Sequence, residues 1–384
     1  ALLRARDYHE AEYGVVTVME VATGEVKAIV NLERNDKGYY YERYNYAVGG
    51  LVEPGSTFKL ATMIALLDGA GISINDSVDT GNGIQKFYNN TVRDHDEGGY
   101  GKITIKEAFE KSSNVAMAKL ADQYFGPEPA RFLGYVDQIG VNEPLGVQIK
   151  GEGQPKIKRP ADKAWSGITL PWMAYGYGLE LTPLQTLAMF NAVANGGKMI
   201  RPVIVKRVRK ADKIVKEYNS VVLKGQICSE KTLLKLRILL EGVVENGTAQ
   251  NISNAHYKIA GKTGTAQILE NGRHTKKYYT SFAGYFPADE PKYSAIVLIK
   301  NPKGWRQYGS NVAAPVFKEI ADNIYSRDVE MHDPLEAEFM AEGGVFPLIR
   351  SGNQQDLKLV CYELGVSNRS NSEAQWVRTR VVGN

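Results

Sequence analysis

The chain has 384 residues, of which 43% are hydrophobic and 23% are charged, and its formal net charge at pH 7 is +4. This length and composition fit a globular protein of about two to three domains with a sizeable core. Because the charge is only mildly basic and no dense run of Lys and Arg occurs, nucleic-acid binding is not indicated.

No apolar stretch reaches the roughly 18 to 20 residues that a bilayer-spanning helix needs, and no signal peptide opens the chain. The sequence begins at Ala1 rather than Met. We therefore expect a piece of a longer protein from which a membrane anchor has been removed. Cys228 and Cys361 fit no metal-binding or redox spacing, and the five histidines fit no zinc spacing. The sequence thus predicts no metal and no other cofactor.

Two β-rich runs at residues 15–21 and 26–30 are joined by a Thr-Gly turn and predict a hairpin. Residues 75–101 are rich in Gly, Asn and Asp and are too long for a plain connector, which predicts a functional or mobile loop. A capping box of Thr104 and Glu107 predicts the start of a helix. Further predicted helices cover residues 115–124, the tract between Pro183 and Asn195, and residues 231–244.

Three more β-like runs, at residues 257–269, 279–286 and 293–300, are separated by short turns that indicate antiparallel neighbours. The amphipathic segment 313–325 is expected to cover one face of their sheet. If the N-terminal hairpin joins them, the fold class is α+β. It has a five-stranded antiparallel sheet, a helical lobe inserted between strands two and three, and a cleft between sheet and lobe.

The character of the sequence changes after about residue 327. Residues 328–344 are acidic and poor in β-branched residues, which predicts a linker between a first domain at 1–327 and a small C-terminal module at 345–384. In that module, Val345-Phe346-Pro347, a helix-like stretch at 354–364 and Trp376-Val377-Arg378 indicate folded structure. None of them contains an evident catalytic set.

Ser56 and Lys59 stand before an apolar run, residues 60–67, that predicts a helix ending at Gly69. Positions i and i+3 share a helix face, so the hydroxyl and the amine can meet at the first turn. The free N–H groups and the positive end of the helix dipole favour negative charge there, which suits a nucleophilic serine. Alternatively, a serine after Pro-Gly at a helix start serves only as an N-cap.

Two other motifs carry chemistry when they are combined with the first. Ser112-Ser113-Asn114 lies at the break between two predicted helices, and in isolation it is typical of a cap or turn. Lys262-Thr263-Gly264-Thr265 lies inside a predicted strand, where the glycine allows close approach of another backbone and the amine and hydroxyls favour a substrate carboxylate. A phosphate-binding loop is disfavoured, because His256 replaces the required glycine and a strand follows.

In chain order the motifs are S-x-x-K from Ser56 to Lys59, S-x-N from Ser112 to Asn114 and K-T-G from Lys262 to Gly264, the signature of penicillin-binding proteins and class A β-lactamases. Residues 10–327 resemble class B penicillin-binding proteins. The segments that carry this wider resemblance are Leu51-Val52-Glu53-Pro54-Gly55, Gly176-Tyr177-Gly178, Leu181-Thr182-Pro183 and Ala313-Ala314-Pro315. Glu53 is more similar to the division-type, penicillin-binding protein 3-like branch than to the elongation branch. The tail from Val345 resembles a PASTA module but is short for a complete one.

The resemblance implies a serine D,D-transpeptidase that cross-links peptidoglycan stem peptides ending in D-Ala-D-Ala and is acylated by β-lactams. Ser56 would be the nucleophile and Lys59 its base, with the pKa of Lys59 lowered by burial and by the nearby Lys262 cation. Ser112 would pass the proton to the leaving amine, and Asn114 would orient Lys59 and the substrate amide. The N–H groups of Ser56 and Thr265 would hold the oxyanion. The hydroxyls of Thr263 and Thr265, beside Lys262, would hold the terminal carboxylate.

The resemblance also implies a place of action and partners. The chain would work at the extracytoplasmic face of the bacterial cytoplasmic membrane, in septal wall synthesis at cell division. Its partners would be a lipid-linked glycan polymerase and division proteins, bound through an N-terminal region that this sequence lacks.

Three alternatives stay open at this stage. In a β-lactamase or D,D-carboxypeptidase, water would replace the acceptor amine, but no E-x-x-x-N segment lies between Asn114 and Lys262, which argues for a long-lived acyl-enzyme. A non-catalytic β-lactam sensor or wall-binding module would acylate without transfer. A Ser-His-Asp hydrolase is disfavoured because no G-x-S-x-G surrounds Ser56. His95 is expected to be a solvated loop residue rather than a lining of the cleft.

Overall fold

A computed structural model of the chain describes residues 2, 9–270, 272–304, 307–328, 331, 352–363 and 376–377. The chain divides into two compact units, Ala1–Arg327 and Asp328–Asn384. The second unit contains the helix Gln354–Glu363 and a short antiparallel pair, Gly352–Asn353 with Trp376–Val377. The predicted motif Val345-Phe346-Pro347, Arg378 and most of the predicted linker lie outside the described residues. The linker and the PASTA-like module therefore stay predictions.

A six-stranded antiparallel sheet forms the centre of the first unit. Its spatial order is Ala260–Glu270, Arg273–Phe286, Tyr293–Lys300, Tyr13–Glu20, Val26–Arg34 and Tyr40–Tyr41. Tyr13 pairs with Lys300, so the N-terminal hairpin joins the C-terminal strands as predicted. The sheet has one strand more than the five predicted. The extra strand, Tyr40–Tyr41, has only two residues, too few to produce a periodic signal in the sequence.

The inner strands of this sheet are buried, because elements pack on both of its faces. In the strand Tyr13–Glu20 every residue except Glu20 is buried, which explains its continuous apolar run. The predicted amphipathic helix is present as Ala314–Tyr325. Its Phe317 ring packs edge-on against Phe282 and Phe286, at centroid distances of 4.7 and 5.7 Å, and so covers one face.

A mainly helical lobe lies between the strands Tyr40–Tyr41 and Ala260–Glu270. Its α-helices are Tyr46–Gly49, Lys59–Ile64, Ile105–Glu110, Asn114–Phe125, Pro129–Ile139, Thr169–Met173, Pro183–Ala194 and Glu230–Glu245. The predicted capping box of Thr104 and Glu107 is formed, and a second one, of Thr182 and Gln185, begins Pro183–Ala194. A 3-10 turn at Gln250–Ile252 and a short helix at Gly309–Val312 flank the C-terminal strands.

Two-stranded ribbons complete the lobe. They pair Ser77–Asp79 with Lys102–Thr104, Ile84–Phe87 with Asn90–Arg93, Lys156–Ile157 with Leu179–Glu180, Met199–Ile200 with Val222–Lys224, and Arg207–Lys210 with Lys213–Glu217. Three strands of the first two ribbons lie within the predicted loop at residues 75–101, and the fourth, Lys102–Thr104, follows it directly. Their apolar side chains Val78, Phe87 and Val92 are buried, so this segment is folded against the lobe. In the described part of the chain, no helix combines the length and apolarity needed to cross a bilayer.

Candidate active site

Ser56 lies in a buried segment but is itself accessible. Every residue from 52 to 67 is buried except Ser56. The predicted helix here consists of a 3-10 turn, Gly55–Phe58, the α-helix Lys59–Ile64 and a π turn, Ala65–Gly69. Pro54, not Ser56, is the N-cap, which argues against the helix-cap interpretation of this serine. Ser56 lines a cavity of about 540 Å³.

Two glycines let the backbone close around Ser56. Gly55 has a φ of +55°, and a side chain there would bring a Cβ to 3.0 Å from the Cβ of Ala266 on the K-T-G strand. A Cβ on Gly176 would lie only 1.9 Å from the carbonyl oxygen of Gly55, whose N–H donates to Gly176 O at 3.1 Å. The Gly176-Tyr177-Gly178 segment therefore packs directly on the turn that carries Ser56.

Lys59 is fully buried and reaches the second motif with its amine. Its Nζ donates to Ser112 O at 2.6 Å, to Ser112 Oγ at 3.1 Å and to Asn114 Oδ1 at 2.8 Å. Burial lowers the pKa of Lys59 to about 7, although the negative charge of Asp94 acts in the opposite direction. A substantial fraction of the amine is therefore neutral near pH 7 and can accept a proton.

The second motif turns sharply between the helices Ile105–Glu110 and Asn114–Phe125. Ser112 has a φ of +59°, which is uncommon for a residue other than glycine. This conformation brings both its carbonyl and its hydroxyl to Lys59. Ser113 is the N-cap and accepts a hydrogen bond from Ala116 N at 3.0 Å. The cap interpretation thus holds for Ser113, while Ser112 and Asn114 contact the lysine.

Asp94, which lies in the predicted functional or mobile loop at residues 75–101 but had no signal of its own in the sequence, holds this motif in place. Asp94 accepts hydrogen bonds from Ser113 Oγ at 2.9 Å and from Val115 N at 2.9 Å. Asn114 Nδ2 donates to Arg93 O at 3.0 Å, which leaves Asn114 Oδ1 facing Lys59. Asp94 lies in an Asp- and Gly-rich stretch that is indistinguishable from a solvated loop by sequence alone.

Lys262 is the second fully buried lysine of the site. It lies on the strand Ala260–Glu270, with its Nζ 3.3 Å from Thr263 O and 5.7 Å from the centre of the Phe109 ring. Burial, and next the repulsion from Lys59, lower the pKa of Lys262. We expected both burial and the nearby Lys262 cation to lower the pKa of Lys59. Burial lowers it, whereas the repulsion between the two lysines lowers the pKa of Lys262.

The two threonines of the K-T-G-T segment face the cavity with ordered hydroxyls. Thr263 Oγ1 is 2.7 Å from the hydroxyl of Thr248, and Thr265 Oγ1 accepts a hydrogen bond from Gly309 N at 3.1 Å. Because Thr265 accepts from Gly309, its own O–H can still donate into the cavity. A Cβ on Gly264 would lie 2.3 Å from Ser281 Oγ, so the glycine is needed for strand packing.

The remaining wall of the cavity is aromatic and basic. Its lining includes Tyr100, Lys111, Tyr278 and Tyr308 in addition to the motif residues. His95 is exposed, as expected of a loop residue, yet it also lines the cavity and packs edge-on against Tyr308 at 4.3 Å. The sequence signalled none of the tyrosines, because single tyrosines in loops have no pattern.

The structure brings all the predicted site residues together. Ser56, Ser112, Asn114, Thr263 and Thr265 line the cavity. Lys59 and Lys262 lie behind them, fully buried, and Gly264 lies in the strand. Cys228 and Cys361 are free thiols, and burial raises the pKa of Cys228 to about 12. Among the described residues, no three His, Cys, Asp or Glu side chains are placed to hold a metal ion.

Residues 14–322 match the penicillin-binding protein transpeptidase domain. The chain belongs to this family. Among curated proteins, this transpeptidase domain is 31% identical over 330 residues to stage V sporulation protein D of Bacillus subtilis, covering 83% of this chain and 50% of that protein. It is 30% identical over 329 residues to the probable peptidoglycan D,D-transpeptidase PenA of Neisseria flavescens, covering 83% and 76%. The chain thus spans half the length of the Bacillus subtilis relative.

Solved structures of penicillin-binding proteins are also similar to this chain. Penicillin-binding protein 3 of Mycobacterium tuberculosis in its apo form superposes with a TM-score of 0.75 at 29% identity, covering 87% of this chain and 77% of that chain. The transpeptidase domain of Burkholderia pseudomallei penicillin-binding protein 3 superposes with a TM-score of 0.72 at 28% identity, covering 87% and 94%. These structures confirm the predicted α+β fold, and relatives named PenA, FtsI and penicillin-binding protein 3 confirm the predicted branch of the family.

Proposed function

We propose that this transpeptidase domain is a peptidoglycan D,D-transpeptidase that works through an acyl-enzyme on Ser56. The observation that carries the proposal is the environment of Lys59. The fully buried amine of Lys59, whose pKa is lowered to about 7, contacts Ser112 and Asn114. Lys59 lies one helical turn from Ser56, which is the only accessible residue between positions 52 and 67. Several relatives carry the name peptidoglycan D,D-transpeptidase, PenA and FtsI among them, which supports the same activity.

Acylation begins when neutral Lys59 takes the proton of Ser56 Oγ. The oxygen attacks the carbonyl carbon of the last peptide bond of a stem peptide ending in D-Ala-D-Ala. The N–H groups of Ser56 and Thr265 stabilise the resulting oxyanion. Ser112 Oγ, 3.1 Å from Lys59 Nζ, passes the proton to the nitrogen of the terminal D-Ala. The C–N bond breaks, D-Ala leaves as an amine, and the acyl group stays on Ser56.

Substrate binding uses the edge of the sheet. The strand Ala260–Glu270 is the first in the sheet order, so its outer edge can pair with an extended peptide as an added strand. Thr263 and Thr265 would donate hydroxyl protons to the terminal carboxylate of that peptide, and the buried Lys262 lies behind them. Asn114 would contact the substrate amide at the opposite wall.

The acyl-enzyme is resolved by an amine of a neighbouring stem peptide, which forms the cross-link and restores the Ser56 hydroxyl. β-Lactams would acylate Ser56 in the same way. Penicillin-binding protein 3 of Mycobacterium tuberculosis has been solved in complexes with ampicillin and aztreonam, which supports this step. We further propose a septal role at the extracytoplasmic face of the membrane, with a lipid-linked glycan polymerase and division proteins as partners.

An exchange assay tests the transfer step. The chain is incubated with a stem peptide ending in D-Ala-D-Ala and an excess of a different D-amino acid, and the products are separated by mass. We expect a product in which the new D-amino acid replaces the terminal D-Ala, and no product with Ser56→Ala. Hydrolysis without exchange would indicate a carboxypeptidase. No product from a chain that penicillin still acylates would indicate a sensor.

A further inference from the structure

Tyrosines are concentrated at the sheet edge opposite the K-T-G strand. Five of the eight residues from 39 to 46 are tyrosines. Three of them are well exposed: Tyr39 at 71%, Tyr44 at 48% and Tyr41 at 38% of their full accessible surface. Burying the exposed surface of large aromatic side chains against a ligand is favourable. Their exposure at a sheet edge therefore indicates a contact surface.

The register of the strands puts the exposed rings on one face. Tyr41 pairs with Glu33, so both side chains lie on the same face of the sheet. The hydroxyl of Tyr46 donates to Glu33 Oε2 at 2.9 Å, and the Tyr44 ring lies edge-on to the Tyr46 ring at 4.9 Å. Tyr39, the residue just before the strand Tyr40–Tyr41, is the most exposed of the three. We call Tyr39, Tyr41 and Tyr44 the tyrosine face.

Tyr46, which contacts Tyr44 of the tyrosine face, packs against the hydrophobic core. The Tyr46 ring stacks on Tyr13 at 3.9 Å and 9°, and Tyr13 belongs to a buried hydrophobic cluster. Burial and the hydrogen bond to Glu33 raise the pKa of Tyr46 to about 12, so its phenol keeps the proton that it donates. A Cβ on Gly49 would lie 2.3 Å from the Tyr44 hydroxyl, which therefore packs directly over the Gly49 backbone. Tyr44 is therefore preorganised, which reduces the entropy that its ring loses on binding.

The chemistry of the face favours a carbohydrate. Each tyrosine offers a flat apolar ring and a polar hydroxyl at its edge, which matches a sugar ring with C–H groups on its faces and hydroxyls around its rim. The exposed neighbours Glu42 and Arg43 carry opposite charges, so the face has no excess of cations for a polyanion. It also lacks the aliphatic side chains that insert into a lipid surface.

We propose that the tyrosine face binds the glycan strands of peptidoglycan by stacking sugar rings on Tyr41 and Tyr44, with Tyr39 extending the contact. This inference rests on the proposed function, which supplies a polymer with a glycan backbone as substrate. Five inter-strand spacings of about 4.8 Å separate the tyrosine face from the K-T-G strand by about 24 Å. Glycan binding there leaves the cavity at Ser56 free, so it holds polymeric substrate without changing the chemical step.

The test measures binding of glycan strands from which an amidase has removed the peptides, by titration calorimetry on the full chain. We expect the double variant Tyr41→Ala/Tyr44→Ala to bind these strands at least about tenfold more weakly than the wild type, because two stacking contacts are lost. The double variant Tyr41→Phe/Tyr44→Phe keeps both rings, so its affinity for glycan strands should stay within about threefold of that of the wild type. Tyr362→Ala, which removes an 82% exposed tyrosine from the second unit, is the matched control and should bind as the wild type does.

The proposal would be overturned if the wild type bound no glycan, or if the double alanine variant bound glycan as strongly as the wild type. A wild type that binds sugar-free stem peptides through Tyr41 and Tyr44 as strongly as glycans would also overturn it. Penicillin acylation of each variant shows that it is folded, and it should proceed at the wild-type rate. If penicillin fails to acylate even the wild type, the proposed function fails while the glycan result stands separately.

Discussion

At the scale of residues, the reactivity of the site depends on how Lys59 is held. Three acceptor atoms surround its Nζ, which favours the charged ammonium, whereas complete burial favours the neutral amine. Burial is the larger influence, and the pKa of Lys59 falls from 10.5 to about 7. The amine therefore changes protonation state close to neutral pH, where a general base is most effective.

The rate of acylation by penicillin should follow this titration. Below about pH 6 Lys59 is mostly protonated and cannot accept the proton of Ser56, so the rate should rise between pH 6 and 8 with a midpoint near 7. Stopped-flow or quenched mass measurements over this range provide the profile. Lys59→Arg, which stays charged throughout, should lose nearly all of the rate. A wild-type rate that does not change over this pH range would contradict the role of Lys59 as base.

Asp94 should act as a positioning residue with an electrostatic signature. Asp94→Asn weakens the bonds to Ser113 and Val115 and removes a charge that raises the pKa of Lys59. We expect an acylation rate about tenfold lower and a pH midpoint shifted below that of the wild type. The matched control is Asp96→Asn, two residues away in the same loop. A slower variant with an unchanged midpoint would reduce Asp94 to a purely structural role.

At the scale of elements, close backbone packing joins the catalytic parts. The short helix Gly309–Val312 presses on the K-T-G strand, and a Cβ on Gly309 would lie 2.4 Å from Gly264 O and 2.5 Å from Ser281 O. Both atoms belong to the backbone of the sheet, so they cannot move aside cheaply. The position of Thr265, which accepts from Gly309 N, depends on this contact.

Gly309→Ala should therefore displace the helix from the strand. We expect a loss of about 1–3 kcal/mol in the free energy of unfolding and an acylation rate at least about tenfold lower. Gly134→Ala is the control, because a Cβ there meets no atom within 4 Å and the glycine is inside the helix Pro129–Ile139. That variant should keep its acylation rate and gain about 0.5–1 kcal/mol in the free energy of unfolding, because alanine is a better helix former than glycine. If Gly309→Ala and Gly134→Ala had the same free energy of unfolding and the same acylation rate, close packing of Gly309 on the strand would not be what positions Thr265.

The sequence predicted the elements that have a periodic or capped signature, and it failed where tertiary contacts decide. Five strands of the sheet, the capping box at Thr104 and the three motifs were predicted because side-chain identity carries their signal. The division of the helix that carries Ser56 and Lys59 into 3-10, α and π parts depends on the packing of Gly55 against a distant strand. Asp94 and Thr248 were missed for the same reason, since their hydrogen bonds join segments that have no local pattern in common.

At the scale of the whole molecule, burying two lysines makes the fold itself sensitive to pH. The pKa of Lys59 is about 7 when folded and 10.5 in the reference state, so the unfolded chain binds more protons between these values. The free energy of unfolding should therefore rise with pH in this range. This contribution opposes folding at low pH and fades as the pH approaches 10.5.

Lys59→Met removes that dependence while keeping most of the side-chain volume. Denaturant titrations at pH 7 and pH 9 should show that the wild type gains about 2 kcal/mol relative to the variant between the two pH values. The loss of the hydrogen bonds to Ser112 and Asn114 lowers the stability of the variant equally at both pH values, so it cancels in the comparison. A difference that stays constant with pH would mean that Lys59 is not titrating in the folded chain.

The role of Ser56 as nucleophile is tested most directly by measuring the intact mass of the wild type and of Ser56→Ala during incubation with a penicillin over hours. We expect a persistent one-to-one adduct on the wild type and no adduct on the variant. An adduct on Ser56→Ala would show that another residue is the nucleophile. Hydrolysed penicillin without a lasting adduct on the wild type would contradict the transpeptidase assignment and indicate a β-lactamase.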